Sequence, residues 1–105
     1  MLEMGQLEYV GVWHGTAYNP VPEQTDPWPH ITANGRPIRP GYTIAIDRKH
    51  WAFGQRFYIE GIGIVEAQDI GSKVNGPERF DWLIGDYDFA IQMGRFYRNV
   101  WLITN

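Results

Sequence analysis

Cysteine is absent from this chain of 105 residues. Its absence excludes disulfides, cysteine–metal sites and cysteine nucleophiles, although it does not fix the compartment. No hydrophobic run reaches the length that spans a bilayer, so we expect no membrane span. The N-terminus lacks a basic segment followed by an apolar one, so no signal peptide is visible.

Clustered positive charge is also lacking. The nine Lys and Arg residues are scattered and the formal net charge is -3, which disfavours nucleic-acid binding. The three histidines, His14, His30 and His50, do not have the spacing of metal ligands. We expect them to be surface or satisfied polar residues, and we expect no metal site. The glycines of GQRFYIEGIG lie in a strand pattern and form no phosphate-binding motif, so we expect no cofactor.

The sequence does contain many hydrophobic residues, at 44%, with five Trp, six Tyr and five Phe. This length and composition predict a single globular domain over residues 1–105. Residues 19–41 hold six of the seven prolines and predict a long ordered loop. Asp86 is a good N-cap for one short α-helix over 87–95. Alternating apolar residues predict six strands, at 7–18, 42–47, 56–60, 62–69, 79–84 and 97–103. Tyr9 and Trp13 should share one face of the first strand, and a hairpin or a sharp bend is expected around Gly61.

Three aspartates interrupt or end these strand patterns. Asp47 and Asp69 each end a strand, where an aspartate often serves only to bond backbone N–H groups of a turn. Asp81 lies within a strand, on the same face as Leu83 and opposite Phe80 and Trp82. Only a salt bridge to Arg79 or Lys73 would give Asp81 a structural role, so its position favours a functional one.

Several motifs follow one another in a fixed order between residues 12 and 103, and they are GTAY at 15–18, TANG at 32–35, IAID at 44–47, FYIEG at 57–61, AQDIG at 67–71, RFDW at 79–82 and GDYDFA at 85–90. In this order they resemble the 3D (three-aspartate) domain, which is related to the catalytic barrel of the membrane-bound lytic transglycosylase A family. Two residues depart from the family pattern: Arg48 replaces a proline, and Ile70 replaces a threonine and so removes a hydroxyl.

The resemblance implies a mainly β fold, a six-stranded double-psi β-barrel with one short α-helix and a groove that contains the aspartates. It implies a peptidoglycan lytic transglycosylase, which cleaves the MurNAc–GlcNAc bond and leaves a 1,6-anhydro-MurNAc end. Asp81 would be the general acid and base, with Asp69 and Asp47 nearby in the catalytic group. Residues expected to contact or orient the glycan are Thr16, Tyr18, Glu60, Lys73 and Trp82, with Trp28 and Trp51 as further stacking candidates.

The expected partner is therefore a peptidoglycan glycan strand, met at the bacterial cell wall in the periplasm, outside the cell or by a phage lysin. We expect a monomer or a module of a larger protein. Two alternatives stay open. Ile70 motivates the first, a non-catalytic, expansin-like module that binds cell-wall glycan. The second is a glycoside hydrolase on the same barrel, in which water is the nucleophile.

Overall fold

Six strands form one closed β-barrel. The structure is a computed structural model that describes residues 6–18, 41–84 and 95–104. The strands neighbour one another around the barrel in the order β1, β5, β2, β4, β3, β6. The mainly β, six-stranded prediction is confirmed, while the double-psi crossing stays a prediction. The strands are β1 Leu7–Tyr18, β2 Thr43–Ala45, β3 Arg56–Ile59, β4 Gly63–Asp69, β5 Arg79–Leu83 and β6 Arg95–Ile103.

The strand pairing mixes parallel and antiparallel neighbours. β1 is parallel to β5 and antiparallel to β6, and β2 is parallel to β4 and antiparallel to β5. β3 and β4 form the predicted antiparallel hairpin, whose turn contains Gly61 with a φ of 78°. These pairings place the end of β4 and the middle of β5 on either side of β2, so two segments that are distant along the chain approach the same strand.

Aromatic rings fill the barrel interior. Trp13 is fully buried and its ring lies 5.0 Å from that of Phe57 and 6.2 Å from that of Phe80, centroid to centroid. Gly15 on β1 makes room for this packing, because a Cβ atom there would come within 2.5 Å of the Phe80 ring and 2.7 Å of the Phe96 ring. The core therefore depends on a residue without a side chain at position 15.

The predicted alternation along β1 is wrong in its first half. We expected Tyr9 and Trp13 on one face, yet Tyr9 is 54% exposed and Trp13 is buried. A register shift between Tyr9 and Gly11 explains the difference, since one extra residue reverses which face the side chains occupy. Gly11 adopts a φ of 107°, which glycine allows at no steric cost.

Two further expectations need correction at strand ends. β6 begins at Arg95, two residues before the predicted start, so Arg95 is not the last residue of a helix. The rest of the predicted helix, residues 87–94, and residues 19–40 of the predicted loop lie outside the described part of the chain. Leu83, placed on the polar face of β5, is fully buried. In the described ranges, no helix is long and apolar enough to cross a membrane.

Candidate active site

A row of residues crosses five neighbouring strands on the outer face of the barrel. In register order it consists of Arg95 on β6, Thr16 on β1, Asp81 on β5, Ala45 on β2 and Asp69 on β4. Residues directly opposite one another on adjacent strands project to the same face. Since adjacent strands are about 4.8 Å apart, Asp69 and Asp81 start from backbones about 10 Å apart, with only the small Ala45 side chain between them.

Asp81 is half-buried and hydrogen-bonded within this row. The Thr16 hydroxyl donates to Asp81 Oδ1 at 2.7 Å, and Arg79 Nη2 donates to the Thr16 oxygen at 2.9 Å. Burial raises the pKa of the Asp81 carboxyl above its ordinary range, and the negative charge of Asp69 raises it further. The Thr16 hydrogen bond and the Arg79 charge act in the opposite direction without cancelling the rise. The site therefore favours the protonated form of Asp81 more than water does.

Asp69 reaches the outer face because β4 contains a bulge. The register with β2 shifts between the pairs Ile44–Ala67 and Ala45–Asp69, which leaves Gln68 as the extra residue. Val65 and Ala67 point into the core, so uninterrupted alternation would also direct Asp69 inward. The bulge instead brings Asp69 to the face of Asp81, as bulges beside functional sites often do. Its Oδ1 accepts a hydrogen bond from the backbone N–H of Ile70 at 2.9 Å.

Asp47 lies in the loop after β2 and bonds to backbone groups of two loops. Its Oδ1 accepts from the N–H of Lys49 at 3.0 Å, and its Oδ2 accepts from the N–H of Gly76 at 2.9 Å. Its carbonyl accepts from the N–H groups of His50 and Trp51. The backbone bonds from Gly76 and then Lys49 lower the pKa of the Asp47 carboxyl. Asp47 is thus an ionised side chain that joins its own loop to the loop between β4 and β5.

The other predicted site residues are not all brought together. Thr16 contacts Asp81 directly, as described above. Trp82 lies on the core side of β5, where its indole N–H donates to the Gly41 carbonyl at 3.1 Å. Lys73 is exposed in the loop between β4 and β5. Glu60 belongs to the β3–β4 turn, at the other end of β4 from Asp69 and about 20 Å along the strand.

Tyr18 ends β1 and pairs with Leu83, but its side chain lies outside the described part of the chain, as does all of Trp28. Trp51 packs 5.3 Å from the Trp13 ring, and its indole N–H donates to the Pro77 carbonyl. Trp51 therefore packs against the core and supports the loop after Asp69, and it does not form a free stacking surface.

Sequence reasoning missed four residues beside Asp81 as participants. From the sequence, Arg79 is only a candidate ion-pair partner of Asp81, and Arg95 belongs to a predicted helix. His14 is expected to be a surface or satisfied polar residue, and no pattern distinguishes Tyr97 from the other aromatic residues. Only the register of β1 with β5 and β6 places these side chains next to Thr16 and Asp81. No group of three or more His, Asp and Glu side chains that could hold a metal ion occurs among residues 6–18, 41–84 and 95–104.

Comparisons with solved structures agree with the barrel. MltA from Neisseria gonorrhoeae is 26% identical over 70% of this chain, with a TM-score of 0.58. The lytic transglycosylase LtgG of Burkholderia pseudomallei is 24% identical over 69%, with a TM-score of 0.59, and MltA from E. coli is 20% identical over 69%, with a TM-score of 0.57. The chain spans only 22%, 25% and 26% of those three chains, respectively.

A comparison with curated protein sequences found no match. The sequence profile of the 3D domain matches residues 42–104, which is more than half of the chain and includes all three aspartates of the predicted site. Among these structural neighbours, LtgG of Burkholderia pseudomallei and MltA from E. coli are lytic transglycosylases. The chain belongs to the 3D domain family.

Proposed function

We propose that this domain cleaves the glycan strand of peptidoglycan as a lytic transglycosylase, with Asp81 as the general acid and base. One observation carries the proposal: the Asp81 carboxyl is withdrawn from solvent, hydrogen-bonded to Thr16 and in register with a second carboxylate, Asp69. Two carboxyl groups on the same face are what most enzymes use to break a glycosidic bond.

In the first step the protonated Asp81 donates its proton to the oxygen that links MurNAc to GlcNAc. The bond from the MurNAc C1 atom to this oxygen breaks, its electron pair stays on the oxygen, and positive charge develops on the MurNAc ring. The raised pKa of Asp81 keeps a fraction of this carboxyl protonated at pH values where an exposed aspartate would be fully ionised. The Asp69 carboxylate, on the same face, stabilises the developing positive charge.

In the second step the ionised Asp81 removes the proton from the C6 hydroxyl of the same MurNAc ring. The C6 oxygen then bonds to C1 and gives the 1,6-anhydro ring. No water is consumed, and Asp81 returns to its protonated form. One carboxyl can serve in both steps because the two proton transfers occur in sequence on the same side of the sugar.

Thr16 and Asp47 are assigned positioning roles. Thr16 fixes the Asp81 carboxyl at 2.7 Å and is itself held by Arg79. Asp47 holds the loop that begins at Asp69 and ends before β5, through its bond to the Gly76 N–H. Both would act on the reaction through the orientation of the other two aspartates.

The test is digestion of purified peptidoglycan, followed by mass spectrometry of the soluble muropeptides. We expect 1,6-anhydro ends from the wild-type chain and none from Asp81→Asn. Glu8→Gln is the control, because Glu8 is an exposed acid near the start of β1 and its substitution should leave the reaction intact. Anhydro products that persist undiminished in Asp81→Asn would refute the assignment of Asp81.

The same digestion separates the alternatives. Products with reducing ends and no anhydro sugar indicate a hydrolase on this barrel. Pelleting of the protein with peptidoglycan and no release of muropeptides indicates a binding module, an alternative favoured by the 49% exposed Ile70 in place of a threonine. The substrate places the proposed site of action at the bacterial cell wall.

A further inference from the structure

Six side chains form a compact grid on the outer face of three neighbouring strands, β6, β1 and β5. The first row is Tyr97, His14 and Arg79, and the second row is Arg95, Thr16 and Asp81. We call these six residues the arginine–tyrosine patch. The patch includes Asp81, so any ligand bound on it lies beside the proposed catalytic carboxyl.

Positive charge in the patch exceeds negative charge. Arg79 and Arg95 are close enough to repel one another, and Asp81 is the only acid among the six. Arg79 is half-buried, and its guanidinium donates hydrogen bonds to the Thr16 oxygen and the Phe80 carbonyl, so its position is fixed. Arg95 is exposed at the start of β6. When Asp81 carries its proton, the two guanidinium groups are the only charges left in the patch besides any on His14.

His14 is expected to stay neutral. Burial, followed by the charges of Arg79 and Arg95, lowers its pKa. Its Nε2 atom is buried and has no hydrogen-bond partner in the described part of the chain. Its ring stacks on that of Tyr97, with centroids 5.0 Å apart and planes 23° from parallel. His14 therefore supports one face of the Tyr97 ring, while Tyr97 remains 65% exposed.

We propose that the arginine–tyrosine patch binds a sugar unit that carries a carboxylate, with Arg95 pairing with the carboxylate and the exposed Tyr97 ring packing against the sugar or its acyl groups. This inference rests on the proposed function and names the part of the glycan that the site recognises. In peptidoglycan a carboxylate is present on the lactyl ether of MurNAc, or on the peptide attached to it. An exposed aromatic ring next to a cation suits such a ligand, because the ring packs against the apolar C–H groups of the sugar and the cation forms an ion pair with the carboxylate.

Binding is measured by NMR titration or calorimetry on the Asp81→Asn protein, so that cleavage does not interfere. The probes are chitobiose, which has no carboxylate, the disaccharide GlcNAc–MurNAc, and GlcNAc–MurNAc bearing L-Ala-D-Glu. We expect at least one of the two acidic probes to bind more tightly than chitobiose. Whichever of them is preferred identifies the carboxylate that is read, lactyl or peptide. Equal affinity for all three probes would overturn the proposal.

Adding Arg95→Gln should reduce the preference for the acidic probe about two- to fivefold, the value of one exposed ion pair, and leave chitobiose binding unchanged. Arg95→Lys should retain part of the preference. Tyr97→Ala should weaken the binding of acidic and neutral probes alike. The matched control is Arg56→Gln on β3, which should change nothing. An unchanged preference in Arg95→Gln would overturn the role of Arg95.

The charge pairing also predicts that the preference falls as salt rises from about 0.05 to 0.5 M. This test is separate from the proposed reaction. If the acidic probes are preferred but the protein releases no anhydro products, the proposed reaction is refuted and carboxylate binding by the patch is supported. If anhydro products form but the acidic probes are not preferred, carboxylate binding by the patch is refuted and the proposed reaction is supported.

Discussion

Replacing Asp81 by asparagine should stabilise the folded protein at neutral pH while it abolishes cleavage. Asparagine has the shape of the protonated aspartic acid, and its side-chain oxygen can still accept the Thr16 hydroxyl. Because burial raises the pKa of Asp81, the folded protein holds the neutral form more readily than the unfolded chain does. Ionised Asp81 therefore destabilises the native state, and the substitution removes this effect because asparagine does not ionise.

The sign and size follow from proton linkage. Well below about pH 4, the ordinary pKa of an aspartate, Asp81 is protonated in both the folded and the unfolded wild-type protein. There the wild-type and Asp81→Asn proteins should be equally stable. Between about pH 4 and the raised pKa of Asp81, this carboxyl is ionised in the unfolded chain and still protonated in the folded protein. The contribution of Asp81 to the free energy of unfolding of the wild-type protein therefore falls as the pH rises through this range. For this single proton the fall is at most about 1.4 kcal/mol per pH unit. A domain of this size loses about 4–8 °C of Tm per kcal/mol.

The assay is thermal unfolding followed by circular dichroism between pH 3 and 8. The melting temperatures of wild-type and Asp81→Asn proteins should coincide at the acidic end, diverge above about pH 4 and then run parallel above the raised pKa. The difference between the two proteins isolates Asp81, because every other titrating group is shared. Parallel curves over the whole range, or a less stable Asp81→Asn protein at neutral pH, would refute the inference that the site disfavours the ionised carboxylate.

Three further substitutions test the surrounding structure. Thr16→Val removes the hydrogen bond that favours ionised Asp81, so the basic limb of the pH profile of kcat/KM should move to higher pH, and Thr16→Ser should restore it. Gly15→Ala should destabilise the protein by about 1–3 kcal/mol in urea unfolding, because the new Cβ atom overlaps the ring of Phe80; an unchanged midpoint would show that the core can relax. Asp47→Asn should lower the melting temperature at neutral pH and lose this effect as the pH falls through the lowered pKa of Asp47, opposite in sign to Asp81→Asn.

Most of the strand content followed from local patterns, whereas the faces of the strands followed only where a strand has no bulge. The alternation in 79–84 placed Asp81 opposite Phe80, and the structure agrees. Along β1 the same reasoning fails at a bulge. In β4 the bulge at Gln68 decides whether Asp69 points outward or into the core. A bulge is a property of two paired strands, so a single strand's sequence gives little sign of it.

Local sequence patterns also could not predict which residues come together in the site. Thr16 and Asp81 are 65 positions apart, and they meet only because β1 and β5 are parallel neighbours. Arg95 enters the row because it pairs with Thr16 from the other side of β1. The resemblance to the 3D domain indicates the aspartates, but the positions of Arg79 on β5 and Arg95 on β6 beside them follow only from the strand register of the closed barrel.

The pKa values of Asp47 and Asp81 are shifted in opposite directions, which supports different roles for the two carboxyl groups. Backbone N–H groups lower the pKa of Asp47, and burial raises that of Asp81. An aspartate that is firmly ionised is a poor proton donor but a good acceptor for fixed N–H groups. Asp47 uses that property to hold Gly76, whose φ of 98° lies in the region that favours glycine, in the loop that joins Asp69 to β5. In the proposed reaction Asp47 would therefore act by holding the loop that follows Asp69, and it would exchange no proton itself.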